Sequence, residues 1–241
     1  MNQSDWESCY LLHQRSYGET SLIVDIFSYS YGRISLVAKG AKKPKSKFFG
    51  YLTPFNKLKV TFSGRGNLKT LTNIDKDFST NTNLNSTQIY SLMYINELIV
   101  RLLPQEIPQE DLFKLYDEFI NNFANEKEVG FNLRQFELDL LELLGYGINF
   151  NNDIENNELI DPLATYEFVE ERGFRKKTNA DFQGKDIINM SQRDFSSIPP
   201  QLSKNLTKMA INFCLDGKQI NSREIFKPIK ETWYMVLEQT L

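Results

Sequence analysis

In SLIVDIFSYSYGRISLVAKGAKKPKSKFFGYLTPFNKLKVTFS, residues 21–63, apolar side chains recur at every second position. Leu22, Val24 and Ile26 alternate with Ile23, Asp25 and Phe27. Ile34, Leu36 and Ala38 alternate with Arg33, Ser35 and Val37, and Leu58, Val60 and Phe62 alternate with Lys57, Lys59 and Thr61. Period two turns one face of a strand into a core and the other outward to water. Tyr10–Gln14 and Asn67–Ile74 read as a first and a last strand, and Tyr17-Gly18-Glu19, Tyr31-Gly32 and Ser63-Gly64-Arg65-Gly66-Asn67 are turn signals between strands. Five short strands within residues 1–80 predict an oligonucleotide-binding (OB) barrel.

The same stretch is basic. The net charge of the 241-residue chain is −3, but residues 1–80 hold twelve basic and six acidic residues, whereas residues 81–241 hold sixteen and twenty-five. Tyr31–Thr70 carries ten cations and no carboxylate. A local field of one sign concentrates polyanions whatever the total charge. Arg33, Lys39, Lys42, Lys43, Lys45, Lys47, Arg65 and Lys69 are the candidate phosphate contacts, with Arg33, Lys39, Lys57 and Lys59 on the outward phase of their strands. Phe48, Phe49, Tyr51 and Phe55 follow the lysines, and flat rings can stack on exposed bases. Core packing is the favoured reading for Phe55 and for at least one of Phe48 and Phe49.

Beyond residue 80 the period becomes helical. Ile89, Leu92, Met93, Asn96, Ile99, Leu102 and Leu103 form one run, closed by Pro104. Leu112–Phe123, Leu133–Leu144 (stopped by Gly145) and Leu202–Phe213 form three more, and Ile225, Ile229, Trp233 and Leu237 suggest a last one, with Pro228 a kink or late start. Asn151–Asp161 reads as a polar loop, and Tyr166–Phe174 as a small hairpin within the helical region. The expected class is α+β: an OB barrel over 1–80, then a helical bundle over 81–241 with a small inserted β subdomain at about 148–185.

Several classes are excluded or disfavoured. Hydrophobic residues make up 41% of the chain, too many for overall disorder, and no run nears the ~18 apolar residues of a membrane span. Two cysteines, Cys9 and Cys214, support neither a disulfide framework nor a zinc site of several thiolates. The opening MNQSDWESCY does not read as an export signal, so a reducing cytoplasm is the expected compartment. The single histidine, His13, and the acid pairs Glu106/Glu110 and Glu155/Glu158 read as surface residues, and no nucleotide-binding glycine loop is present. A binding and adaptor protein is favoured; an RNA-directed or hydrolytic enzyme that captures substrate on a barrel is the alternative.

The segments GETSLIVDIFSYSYGRISLVAKGAKK (Gly18–Lys43), YLTPFNKLKVTFSGRGNLKTL (Tyr51–Leu71), LMYINELIVRLLP (Leu92–Pro104), LRQFELDLLELLGYGINF (Leu133–Phe150) and GKQINSREIF (Gly217–Phe226) resemble the bacterial DNA repair family RecO, in that family's order and over nearly the whole chain. The resemblance implies a recombination mediator of the RecFOR pathway. Such a protein binds single- and double-stranded DNA, anneals complementary strands, and with RecR helps load RecA onto strands coated with single-strand-binding protein (SSB), without hydrolysing nucleotide. It further implies a helical-domain site for the acidic, Phe-terminated tail of SSB. By motif position Arg134 is carried over, with Phe136, Leu140 and Leu144 as pocket wall and Lys204 and Lys208 as further cations. Core packing is the favoured reading for Phe136. Many members hold zinc through cysteines after the GYG segment; here Asn151 and Asn152 stand near that place, so no metal or other cofactor is expected.

Overall fold

The structure, a computed structural model, describes residues 4–77, 84–123 and 129–223. The expected last helix, with Ile225, Pro228, Ile229, Trp233 and Leu237, lies outside them.

Five strands, β1 (Glu7–Tyr17), β2 (Ser21–Ser28), β3 (Gly32–Ala38), β4 (Lys57–Ser63) and β5 (Leu68–Lys76), form a closed barrel in the order β1-β2-β3-β5-β4, the OB arrangement. The β3–β5 pairing is parallel, and β4 closes on β1 with Glu7 opposite Val60. The inward phase of each strand is the apolar one: Cys9, Leu11, Val24, Ile26, Ile34, Leu36, Leu58, Val60, Phe62 and Leu71 meet in one core. Each fully buried large side chain there contributes about 1.5–3 kcal/mol.

Helix α1 (Ser86–Leu102) begins with a reciprocal cap, in which the Asn85 side chain accepts the Gln88 N–H and the Gln88 side chain accepts the Asn85 N–H. Its YINEL segment explains itself in the fold. The β1–β2 register slips between Leu11 and His13, and the Asn96 amide donates to the Leu11 and Leu12 carbonyls at 3.4 and 3.1 Å. Glu97 accepts the backbone N–H groups of Asn221 and Ser222 at 2.8 and 2.7 Å. Helix α2 (Glu110–Phe123) lays Phe113 and Tyr116 over the outward-facing Tyr10 and Phe27 of the barrel, with ring centroids 5.0–6.1 Å apart. The expected wet outer face is thus covered on β1 and β2, because their outward phase also carries large apolar rings.

Packing divides the chain into two compact units, Met1–Asn125 with Ile220–Leu241, and Glu126–Gln219. The helices are therefore not one bundle: α1 and α2 belong with the barrel, although the change of periodicity falls near residue 80. The second unit holds α3 (Val129–Leu143), a three-stranded sheet of β6 (Thr165–Val169), β7 (Gly173–Lys176) and β8 (Phe182–Gln183), then α4 (Gly184–Ser191) and α5 (Pro200–Cys214). The hairpin β6–β7 matches its expected place; β8 and α4 are too short to show a period. Phe150, Tyr166, Phe174, Phe182, Ile187 and Leu206 share its core.

Candidate nucleic-acid interface

The loop between β3 and β4 is pinned at two points. Ala41 and Phe48 are buried in the barrel core, while Lys42, Lys43, Lys45 and Lys47 between them are exposed. Turn hydrogen bonds shape it: Lys42 N–H to the Thr20 carbonyl at 2.9 Å, Lys43 N–H to Gly40 at 3.0 Å, and Ser46 N–H to Lys43 at 2.9 Å. Lys42 Nζ donates to the Gly18 carbonyl at 3.2 Å, and Lys47 Nζ reaches the Thr72 carbonyl and lies 5.4 Å from the Phe48 ring centre. None of these contacts involves a carboxylate, so among the described residues the positive charge of the loop is not paired with an acid. Lys39, at the loop's start, and Arg65, on the β4–β5 turn, are also exposed. Phe48 and Phe55 are core residues, as expected, and Phe49 projects outward with 71% of its surface exposed.

Two expected phosphate contacts are otherwise employed. Arg33 Nε donates to the Leu103 carbonyl at 3.0 Å, and its backbone pairs with Gln105 while its carbonyl accepts the Glu106 N–H. Burial holds the Arg33 pKa below the ordinary guanidinium value, against the opposing pull of Asp25. The connection between α1 and α2 runs across β3 here, and Gly32 permits it: a Cβ on Gly32 would stand 1.9 Å from the Ile107 carbonyl oxygen. Lys69 is neutralised by the Glu106 carboxylate and also donates to the Gly66 carbonyl at 3.1 Å. On the outward phase of β4, Lys57 pairs with Asp117 of α2 at 2.8 Å, whereas Lys59 is exposed. The exposed cations of this stretch are therefore Lys39, Lys42, Lys43, Lys45 and Lys47 of the loop, Lys59 of β4 and Arg65 of the β4–β5 turn. The barrel wall, where Arg33, Lys57 and Lys69 lie, serves to hold helices. Sequence alone misses this because the groups that claim those cations, the Leu103 carbonyl and the Asp117 and Glu106 carboxylates, lie dozens of residues away.

In the second unit the expected tail-binding residues lie on or just after α3 (Arg134, Phe136, Leu140, Leu144) and on α5 (Lys204, Lys208), and Arg134 links the two helices. Arg134 donates from Nη1 to Thr207 Oγ1 at 2.9 Å and pairs at 2.9 Å with Glu137, which is fully buried. Phe136 and Leu140 are buried in the core, Leu144 is half-buried, and Lys204 is exposed on α5. Lys208 stands at an open groove lined by Phe182, Leu202 and Met209, with Asp181, Gln201, Asn205 and Asn212 beside them.

The donor set after the GYG segment does not fit zinc. Asn152 donates to the Asn157 carbonyl at 2.9 Å. The buried Asp153 carboxylate is consumed by the backbone N–H groups of Glu155, Asn156 and Lys176. Burial alone would raise the Asp153 pKa, but those three donors hold it below the usual carboxylate value. Among the described residues no three His, Cys, Asp or Glu side chains converge to hold a metal, and no helix is long and apolar enough to cross a membrane.

A closed OB barrel with an exposed lysine-rich loop, together with helices and a small sheet, defines an OB-barrel protein of the α+β class. The chain belongs to the RecO family of DNA repair and recombination proteins. The model for the recombination protein O N-terminal region matches residues 1–76, and that for the C-terminal region matches residues 85–184. The DNA repair protein RecO of Aliivibrio fischeri strain MJ11 is 38% identical over 228 residues, covering 92% of this chain and 95% of the relative. Those of Actinobacillus pleuropneumoniae serotype 7 (37%, covering 93% and 95%) and Vibrio cholerae O395 (38%, covering 92% and 93%) are similar to the same extent.

Proposed function

We propose that this chain mediates recombinational DNA repair by holding DNA strands on the β3–β4 loop of its barrel and bringing complementary strands together without catalysing any bond change. The unopposed lysines of that loop carry the reading. Two strands repel through their phosphates, and a basic surface that screens both lowers the barrier to pairing. Because the contacts are to phosphate, binding releases counterions and is blind to sequence; affinity falls with salt with a slope of about −0.7 per phosphate contacted on a single strand.

Annealing of complementary oligonucleotides in the absence of nucleotide and divalent metal tests this. The wild-type protein accelerates it. K42E/K43E/K45E keeps its thermal unfolding midpoint, since all three side chains are exposed, and loses most of the acceleration. An unchanged rate at moderate salt refutes the site. A requirement for nucleotide or metal favours the enzyme alternative.

The family resemblance extends the proposal to partners. RecR and the SSB tail are the protein partners, and RecA loading on SSB-coated strands is the outcome. Lys208 and the apolar floor of Phe182, Leu202 and Met209 support tail docking on α5, since an acidic tail ending in Phe needs a cation beside an apolar recess.

A further inference from the structure

A phenyl ring left in water costs free energy, and Phe49 is the most exposed aromatic side chain among the described large hydrophobic residues of the barrel unit. It is not exposed by slackness. Phe49 N–H donates to the Ser46 carbonyl at 3.1 Å and Tyr51 N–H to the Phe48 carbonyl at 3.2 Å, so the backbone on both sides is tied. Phe48 is anchored in the core, and its neighbour is thereby directed outward. Among the described residues no ring or cation packs on Phe49, whereas Phe48 has Lys47 and Tyr51 has Lys76 over its face at 5.9 Å. It follows Lys42, Lys43, Lys45 and Lys47 in the same loop, and Tyr31–Thr70 holds no acid.

We propose that Phe49 is a base-stacking residue, and that it makes the basic loop prefer single-stranded to double-stranded DNA. The proposal rests on the reading of the loop as the DNA-binding surface and adds to it a discriminating element. The lysines meet phosphates of either form, since both present them. A ring meets a base face only where the bases are unpaired and can be splayed; in a duplex those faces are already covered by neighbouring pairs. Charge then sets overall affinity and its salt dependence, and the ring sets the ratio between the two forms.

The experiment measures binding of the full chain to oligothymidylate and to a duplex of equal length, across a salt series, for the wild type, Phe49→Ala, Phe49→Trp and K42E/K43E/K45E. Phe49→Ala is expected to weaken oligothymidylate binding about tenfold. It leaves duplex affinity and both salt slopes unchanged, because no charge is removed. Phe49→Trp retains single-strand affinity, and its added indole emission, read against the wild type, is quenched by oligothymidylate and not by the duplex. The stacking role is overturned if Phe49→Ala leaves the single-to-double-strand ratio as it was, or if the Trp emission responds equally to both. If the triple variant binds both forms like the wild type, the DNA-binding loop itself is refuted. If the triple variant weakens both while Phe49→Ala preserves the ratio, only the stacking role falls.

Discussion

Glu106 is a glutamate in the left-handed backbone region, with φ of 58°, a conformation that costs an L-residue free energy unless its surroundings hold it there. Its N–H is tied to the Arg33 carbonyl and its carboxylate to Lys69. The carboxylate pairs with the Lys69 ammonium, which is one of the expected phosphate contacts. Glu106→Gln keeps the shape and removes the charge. It is expected to raise DNA affinity a few-fold and to steepen the salt dependence by up to one phosphate contact, about 0.7 in slope on a single strand. A titration at several salt concentrations checks this, and an unchanged slope means that Lys69 stays out of reach of the strand. Arg134 shows the same lesson in reverse. The motif position marks it as a ligand-binding cation, and its guanidinium also holds the buried Glu137 and Thr207. Removing the cation beside a buried carboxylate costs about 3–5 kcal/mol. Arg134→Ala is therefore expected to lower the urea midpoint, and its effect on tail binding is read at temperatures where the variant is folded. Lys208→Glu, at an exposed position, is the variant that separates docking from stability.

At the scale of elements, the small subdomain is held by aromatic packing, by Glu167 between Arg175 and Lys177, and by the buried carboxylate of Asp153. Phe174 lies 5.8 Å from Phe150, 5.5 Å from Phe168 and 5.5 Å from Phe182 between ring centres. Asp153 gathers three backbone N–H groups from two segments, linking the loop after Phe150 to β7. Its pKa is depressed in the folded state, so its contribution is fully present above the unfolded carboxylate value of ~3.9 and is lost as pH falls through the folded one. Asp153→Ala is expected to cost about 2 kcal/mol at pH 7, in the range for hydrogen bonds to charged groups. The gap from the wild type narrows as the pH is lowered below ~4. Urea unfolding at pH 7 and at acid pH checks both; a gap that is constant with pH would show that the charge is not what holds the loop.

Over the whole molecule, the strands and most helices are legible in the sequence because each carries its own period. Leu22–Phe27 became β2, Leu58–Phe62 lies within β4, and Leu112–Phe123 lies within α2. The hairpin and the pinned aromatic residues followed from the same local rules. Less legible were elements too short for a period, β8 and α4, and the fate of outward-facing side chains. Tyr10 and Phe27 have the outward phase and yet are buried, because an amphipathic helix from beyond residue 80 covers them. By itself the amino-acid sequence determined the barrel, the charge asymmetry and the family, all of which depend on neighbours along the chain. Only the tertiary structure decided which cations are free. Ion pairing depends on distance in space, and Asp117 and Glu106 reach Lys57 and Lys69 only after the chain has folded back, while the loop lysines pair with no carboxylate among the described residues.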